Sequence, residues 1–270
     1  MHREVGFFSP GAPPTIMSAD PAILDWLTPV DFRSLVGDHL SHQQPGTSQW
    51  LIDSAEFKTW VNTPGRTLFC WGPPGAGKTV LSSFVVNFLG QRVPTDDGSH
   101  VGIAYLFFRF NVKVEQVEQH FVSTCLKQLA QDQKSTTLPA LQALYYRHHV
   151  AGSSPSTSEL LIVLQSMIRL YDRVFIVVDA LDECSSRERL LAIMSQLQRG
   201  FKVNFFTTSR NKTDTDSWLP RDVHILKMKA GEDDIRQYVE YRLAQTRIPF
   251  GDAEMRHEII DAIYKRAGGS

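Results

Sequence analysis

The sequence predicts an α/β fold in which a five-stranded, mainly parallel sheet lies between layers of helices. Three observations lead there: five short apolar runs rich in β-branched and aromatic residues, helical periods between them, and a glycine-rich turn directly after the first run. The runs are "TLFCW" (67–71), "GIAYLFFRF" (102–110), "VFIVVD" (174–179), "VNFFTT" (203–208) and "VHILKMK" (223–229). Strands of a parallel sheet are apolar on both faces because helices cover both sides, and these runs fit that pattern.

The helical periods follow in order. After Thr79, residues Val80, Leu81, Phe84, Val85 and Phe88 share one face, so the glycine-rich turn opens directly into a helix. Over 115–131, Val117, Phe121, Cys125 and Leu129 recur every four residues, which assigns Cys125 to the core. Capping boxes mark two later helices, Ser156 with Glu159 and Ser185 with Glu188, and Leu190, Leu191, Met194 and Leu197 give the second an apolar stripe. A last pair is expected near "GEDD" (231–234) and near Asp252, where acid favours a helix N-terminus. "GQRVPTDDGSH" (90–100) and "AGSSPSTS" (151–158) read as loops. Upstream, Trp50, Phe57 and Trp60 recur at helical spacing and are expected to pack that segment onto the core.

With 270 residues, 42% of them hydrophobic, the chain can bury a sizeable core, expected as one large domain with flanking segments. The organisation expected is a poorly ordered Pro/Gly-rich lead-in over 1–25, a helical segment over 26–64, a nucleotide-binding core over 65–230, and the truncated start of a helical subdomain over 231–270. A net charge of −1 offers no bulk attraction to nucleic acid or anionic lipid, so polyanion binding must be local. Cys70, Cys125 and Cys184 are odd in number and dispersed, which fits a reducing, cytoplasmic setting better than a disulfide framework. No membrane span is expected, because Arg169, Asp172 and Arg173 interrupt the most apolar region. The N-terminus lacks the apolar stretch of a secretory signal, and no internal repeat is visible.

Gly72 to Thr79 reads G-P-P-G-A-G-K-T. Glycines at this spacing let backbone N–H groups approach phosphate oxygens where a side chain would obstruct them. Pro73 and Pro74 have no N–H, so donation is expected from Gly75, Ala76, Gly77, Lys78, Thr79 and the helix start at Val80. Lys78 is expected on the β- and γ-phosphates and the Thr79 hydroxyl on Mg²⁺.

"VFIVVDALDEC" (174–184) puts Asp179 at the tip of a buried strand, where a carboxylate needs compensation that Mg²⁺ can supply. Asp182 and Glu183 follow the strand end and are candidates to polarise an attacking water, although Glu183 also reads as an N-terminal helix acid. "VNFFTTSR" (203–210) ends a strand in hydroxyls and an arginine: Thr208 or Ser209 is placed to bond the water or γ-phosphate, and Arg210 either senses the γ-phosphate or is a solvated strand end.

On these residues the chain resembles a NACHT domain, the NTPase module of signal-transducing P-loop proteins of the STAND group. "GPPGAGKT", "VFIVVDALDE" with Ala180 directly after Asp179, and "TTSR" carry the likeness, the displaced pair Asp182 and Glu183 above all. The likeness is strongest to modules of fungal NOD-like receptors bearing ankyrin or other repeats, through 26–61, "LYYRHH" (144–149) and "PSTSELL" (155–161). The resemblance implies a three-layer α/β/α P-loop fold of the additional-strand type, with the fourth strand between the first and third so that Arg210 comes beside Lys78 and Asp179. It implies catalytic roles for Asp182, Glu183 and Arg210, bound ATP or ADP with Mg²⁺, self-association through the module, and effector and repeat domains elsewhere in a longer receptor. "SRN" stands where Ser-Arg-Pro is usual, which leaves the loop after Arg210 less fixed. No N/T-K-x-D signature is present, so adenine is favoured with GTP left open, and Gly46 to Trp50 is the candidate base contact.

His148 and His149 lack partners at metal-ligand spacing, no G-x-S-x-G elbow occurs, and the aromatics sit in strands rather than among basic residues. Three functions remain: a slow ATPase switch, a nucleotide-binding structural module without turnover, and a P-loop kinase, for which no Arg-rich lid is visible.

Overall fold

The computed structural model describes residues 20–41, 43, 46–92, 100–108, 117–132, 138–211, 223–228, 236, 239, 241 and 253–266. Five strands, β1 (Thr67–Trp71), β2 (Val101–Phe107), β3 (Arg173–Asp179), β4 (Val203–Ser209) and β5 (Val223–Lys227), form one sheet in the order β2-β3-β4-β1-β5. Every neighbouring pair is parallel, and β4 lies between β1 and β3. This is the additional-strand P-loop order. The register pairs Trp71 with Ser209 and with Lys227, and Phe107 with Asp179, so the motif-bearing strand ends share one edge of the sheet.

Alternation along the strands builds two cores. Val174, Ile176, Val178, Val203 and Phe205 face one side, against α1 (Pro21–Leu27), α6 (Val117–Asp132), α7 (Pro139–Ala151), α8 (Thr157–Ile168) and α9 (Arg187–Gly200). Leu68, Cys70, Phe175, Val177 and Phe206 face the other, against α2 (Arg33–Ser41), α3 (Gln49–Asp53), α4 (Ala55–Asn62) and α5 (Lys78–Arg92). The result is three layers. Val117, Phe121, Cys125 and Leu129 are all buried on α6, and α10 (Ala253–Arg266) starts at the helix expected near Asp252. The stretch at 231–234, with residues 109–110 and 229 of the expected strands, lies outside the described residues.

Four expectations differ from what is observed. The boundary set at residue 25 falls inside α1, whose Asp20 cap and Pro21 start a helix that buries Ile23, Leu24 and Leu27. Trp50, Phe57 and Trp60 do not share a helix: Ser54 adopts extended backbone, donates to Leu51 O at 2.6 Å and accepts from Phe57 N at 3.2 Å, ending α3 and capping α4. The capping box of Ser156 and Glu159 forms with both reciprocal bonds, whereas that of Ser185 and Glu188 does not. There the cap is Ser186, because the turn before α9 shifts the helix start by one residue and puts Arg189 in the fourth position. Finally, β5 is the edge strand of the described sheet and only half-buried, with Ile225 38% exposed, since among the described residues one of its sides has no strand beside it.

The path from α4 to β1 is fixed by the buried side chain of Asn204 on β4. It donates to Trp60 O at 2.5 Å and Thr63 O at 2.9 Å, and accepts from Gly65 N at 2.7 Å. Replacing it strands buried backbone groups, each costing about 1–3 kcal/mol. Asn204→Ala is therefore expected to lower unfolding free energy by about 2–4 kcal/mol, read as a shifted urea midpoint with an unchanged m-value.

Candidate functional site

At the sheet edge, β1 is pinned on both flanks before the glycine-rich turn begins. Gly72 N donates to Ser209 O at 3.1 Å, and Met228 N donates to Trp71 O at 2.7 Å. A Cβ on Gly72 would lie 2.9 Å from Met228 Cβ and 3.2 Å from Met228 O, so only glycine fits that crossing. Gly75 (φ 81°) and Gly77 (φ 79°) then occupy left-handed backbone. Their conformations bring the chain around into α5, whose first hydrogen bond runs from Leu81 N to Gly77 O at 2.9 Å. The N–H groups of Lys78, Thr79 and Val80 thus form the first helical turn, where no intrahelical acceptor exists and the dipole is positive.

Asp179, 2% exposed at the end of β3, is held by three hydroxyls from two elements. Thr79 Oγ1 donates to Oδ2 at 2.8 Å, while Ser82 Oγ and Thr208 Oγ1 each donate to Oδ1 at 2.7 Å. Thr208 also accepts from Ala180 N at 2.9 Å. Ala180 has φ 56° and ψ 53°, left-handed backbone that costs a non-glycine residue about 1–2 kcal/mol. This pivot feeds a single 3-10 turn, Leu181–Glu183, which turns both acids toward the cavity.

Arg210 meets those acids. Its backbone N–H donates to Asp182 Oδ1 at 3.1 Å, its Nε pairs with Asp182 Oδ2 at 3.2 Å, and its Nη2 pairs with Glu183. Lys78 Nζ folds onto the loop, donating to Gly72 O at 2.7 Å and Pro73 O at 2.8 Å. Burial pushes the Lys78 ammonium below its ordinary range; Asp182, Asp179 and Glu183 counter that shift and Arg210 adds to it.

These groups line a cavity of about 340 Å³: Pro74, Gly75, Gly77, Lys78, Thr79, Val80, Asp179, Ala180, Asp182, Glu183 and Arg210. Of the residues singled out in the sequence, Gly72, Pro73 and Ala76 do not line the cavity, and Thr208 is fully buried, donating to Asp179. Gly46 to Trp50 do not line it either. Ser82 and Ala180 were not assigned a role by sequence reasoning. Ser82 carried a signal, a hydroxyl three residues beyond Thr79 and so on the same helix face.

The model of a protein family described as nephrocystin 3, N-terminal, matches residues 46–210. The chain belongs to this family. In the nephrocystin 3 N-terminal match, the glycine-rich turn, Asp179, the acidic turn and Arg210 all fall inside one stretch, and β4 separates β1 from β3. The chain has the three layers and strand order of a P-loop fold. No curated protein is significantly similar to it in sequence. Among solved structures it is similar to the Aeropyrum pernix ORC1 protein in complex with DNA, with 14% identity and a TM-score of 0.46, over 83% of this chain and 53% of that one. It is also similar to the Aeropyrum pernix ORC2 protein in its ADPNP-ADP complexes, with 12% identity and a TM-score of 0.45, over 79% of this chain and 52% of that one. A chain of the E. coli MS115-1 HORMA:CdnC:Trip13 complex shares 11% identity with a TM-score of 0.44, over 86% and 77% respectively. This family member spans about half the length of the two Aeropyrum proteins.

The strained pivot gives a direct test. Ala180→Gly is expected to raise unfolding free energy by up to about 1 kcal/mol, since glycine accepts left-handed backbone without steric cost. Ala180→Val should lower it by at least about 1 kcal/mol, because a β-branched residue resists that conformation more. Chemical denaturation of the three proteins in parallel makes the comparison.

Proposed function

We propose that this module binds ATP or ADP with Mg²⁺ at Gly72–Val80 and Asp179, and acts as a slow switch in self-association and signalling within a cytoplasmic receptor-type protein. The observation that carries the reading is the shared hold of Thr79 and Ser82, from the helix that follows the loop, on the carboxylate of Asp179. The residues suit a divalent ion of this kind. Thr79 Oγ1 and Asp179 Oδ2, 2.8 Å apart, are hard oxygen donors, and Mg²⁺ takes few protein ligands because phosphates and waters complete its shell. When bound, Mg²⁺ supplies charge neutralisation between phosphate oxygens. The cavity lining sets Lys78 and Arg210 against Asp179, Asp182 and Glu183, a surplus of negative charge that disfavours a bare polyphosphate. A volume of about 340 Å³ is near the lower end for ligand cavities, roughly 300–1,000 Å³, which suits phosphates more than a whole enclosed nucleotide.

In this reading Thr79 and Asp179 orient the metal side of the site, the first-turn N–H groups of α5 and Lys78 bind phosphate oxygens, and Asp182 or Glu183 holds the attacking water. Arg210 bears on the rate. Its ion pairs with both acids neutralise part of the charge that would orient water, which supports slow turnover. The same pairs favour a second reading, a nucleotide held without turnover.

The tests separate these. Mass spectrometry of the purified protein is expected to find adenine nucleotide, and calorimetry is expected to find ATP binding that weakens when EDTA removes Mg²⁺. Lys78→Ala and Asp179→Asn should each weaken binding about tenfold or more. A folded wild-type protein indifferent to adenine and guanine nucleotides with Mg²⁺ present would refute the assignment. Single-turnover phosphate release that Asp182→Ala or Glu183→Ala abolishes supports the switch, whereas no release from wild type supports the structural ligand.

A further inference from the structure

The turn that carries Asp182 and Glu183 is braced by two arginines, and they grip different parts of it. Arg210 takes the carboxylates. Arg187, the first residue of α9, takes the backbone: its Nε donates to Leu181 O at 3.2 Å and its Nη2 donates to Asp182 O at 3.1 Å. One planar fork therefore reads two successive carbonyls, a geometry that the point-like ammonium of lysine does not reproduce. Arg187 is half-buried and is not among the residues lining the cavity.

We infer that Arg187 is a positioning residue for nucleotide hydrolysis, fixing the backbone of the acidic turn so that Asp182 and Glu183 keep their place when Arg210 exchanges partners. The inference rests on the turnover reading above. A single 3-10 turn has little stability of its own: Glu183 N donates to Ala180 O at 2.9 Å and Cys184 N to Leu181 O at 3.2 Å. It is also entered through a strained residue, Ala180, which relaxes unless its surroundings hold it. If Arg210 alone braced the turn, each departure toward a phosphate would free the acids, since the bond from Ala180 N to Thr208 holds only the entry to the turn. The contacts of Arg187 with the two carbonyls are independent of the carboxylates, so the turn survives that departure. Arg187 thus acts through the turn and not on the reacting atoms.

The experiment compares wild type, Arg187→Gln and Arg187→Lys in the whole chain by single-turnover ATP hydrolysis, ATP affinity and amide hydrogen exchange. Arg187→Gln is expected to slow phosphate release by about 10- to 100-fold, as small misplacements of catalytic groups do, while ATP affinity stays within about twofold of wild type. Exchange should quicken at the amides of Glu183 and Cys184 and stay unchanged across Gly72–Val80. Arg187→Lys should fall between the two, and serves in place of the glutamine variant if that one does not fold. Wild-type exchange at the acidic turn in Arg187→Gln overturns the role, as does a loss of ATP affinity equal to the loss of hydrolysis. A wild type that binds ATP and releases no phosphate overturns the turnover reading instead, and exchange in Arg187→Gln then decides whether Arg187 holds the turn.

Discussion

The buried carboxylate of Asp179 is the constraint on which the rest of this site depends. A charge 2% exposed at a strand end is tolerable only with close compensation, and three hydroxyl donors within 2.8 Å supply it. Two of those donors sit on α5, directly after the glycine-rich turn, and the third sits on β4. The same contacts that satisfy one carboxylate therefore fix the phosphate-loop helix against the central strand and lock β3 to β4. Because Thr208 also holds Ala180 N, the lock extends to the pivot of the acidic turn. Oδ1 takes two of the hydroxyls, and Oδ2 takes that of Thr79, which lines the cavity together with Asp179.

Much of this was legible in the sequence because it follows from local rules. Strand positions came from runs of β-branched and aromatic residues, and α6 came from apolar residues every four positions. The loop came from glycines whose backbone requirement is strict. What escaped detection depended on the phase of a turn or on contacts across the sheet. Ser185 and Glu188 have the right spacing for a capping box, but the 3-10 turn before them advances the helix start to Ser186, and no local pattern records a one-residue shift. Ser54 divides α3 from α4 by bonding both ways, so Trp50 and Trp60 look like one helix when they are two. Thr208 was read as a group on the cavity because its sequence neighbours are Ser209 and Arg210; the pleat turns it inward to Asp179 instead. The paired contacts of Arg187 have no sequence signature at all.

The electrostatics of the cavity follow from packing rather than composition. The chain as a whole is nearly neutral, yet three carboxylates and two cations converge at one sheet edge because three strands end there in register. Desolvation sharpens each interaction: Asp182 and Glu183 are only 10% and 14% exposed, while their partner Arg210 is 43% exposed and so can reach solvent. The acids are the more buried half of that pair and the arginine the more exposed half.

The N-terminal helices reach the same point from outside. His39, in the last turn of α2, lies 3.0 Å through its Nδ1 from Ser83 Oγ, and that hydroxyl donates to Thr79 O at 3.0 Å. A polar chain therefore runs from α2 to the backbone of the residue whose side chain bonds Asp179. His39 also packs on Phe107, whose backbone is paired in register with Asp179. α2 therefore touches the site's supports at two places, at Thr79 through the hydroxyl chain and at β2 beside Asp179 through the ring contact. Both routes end beside the carboxylate that joins the loop helix to the sheet, so α2 packs directly on the elements that hold the site.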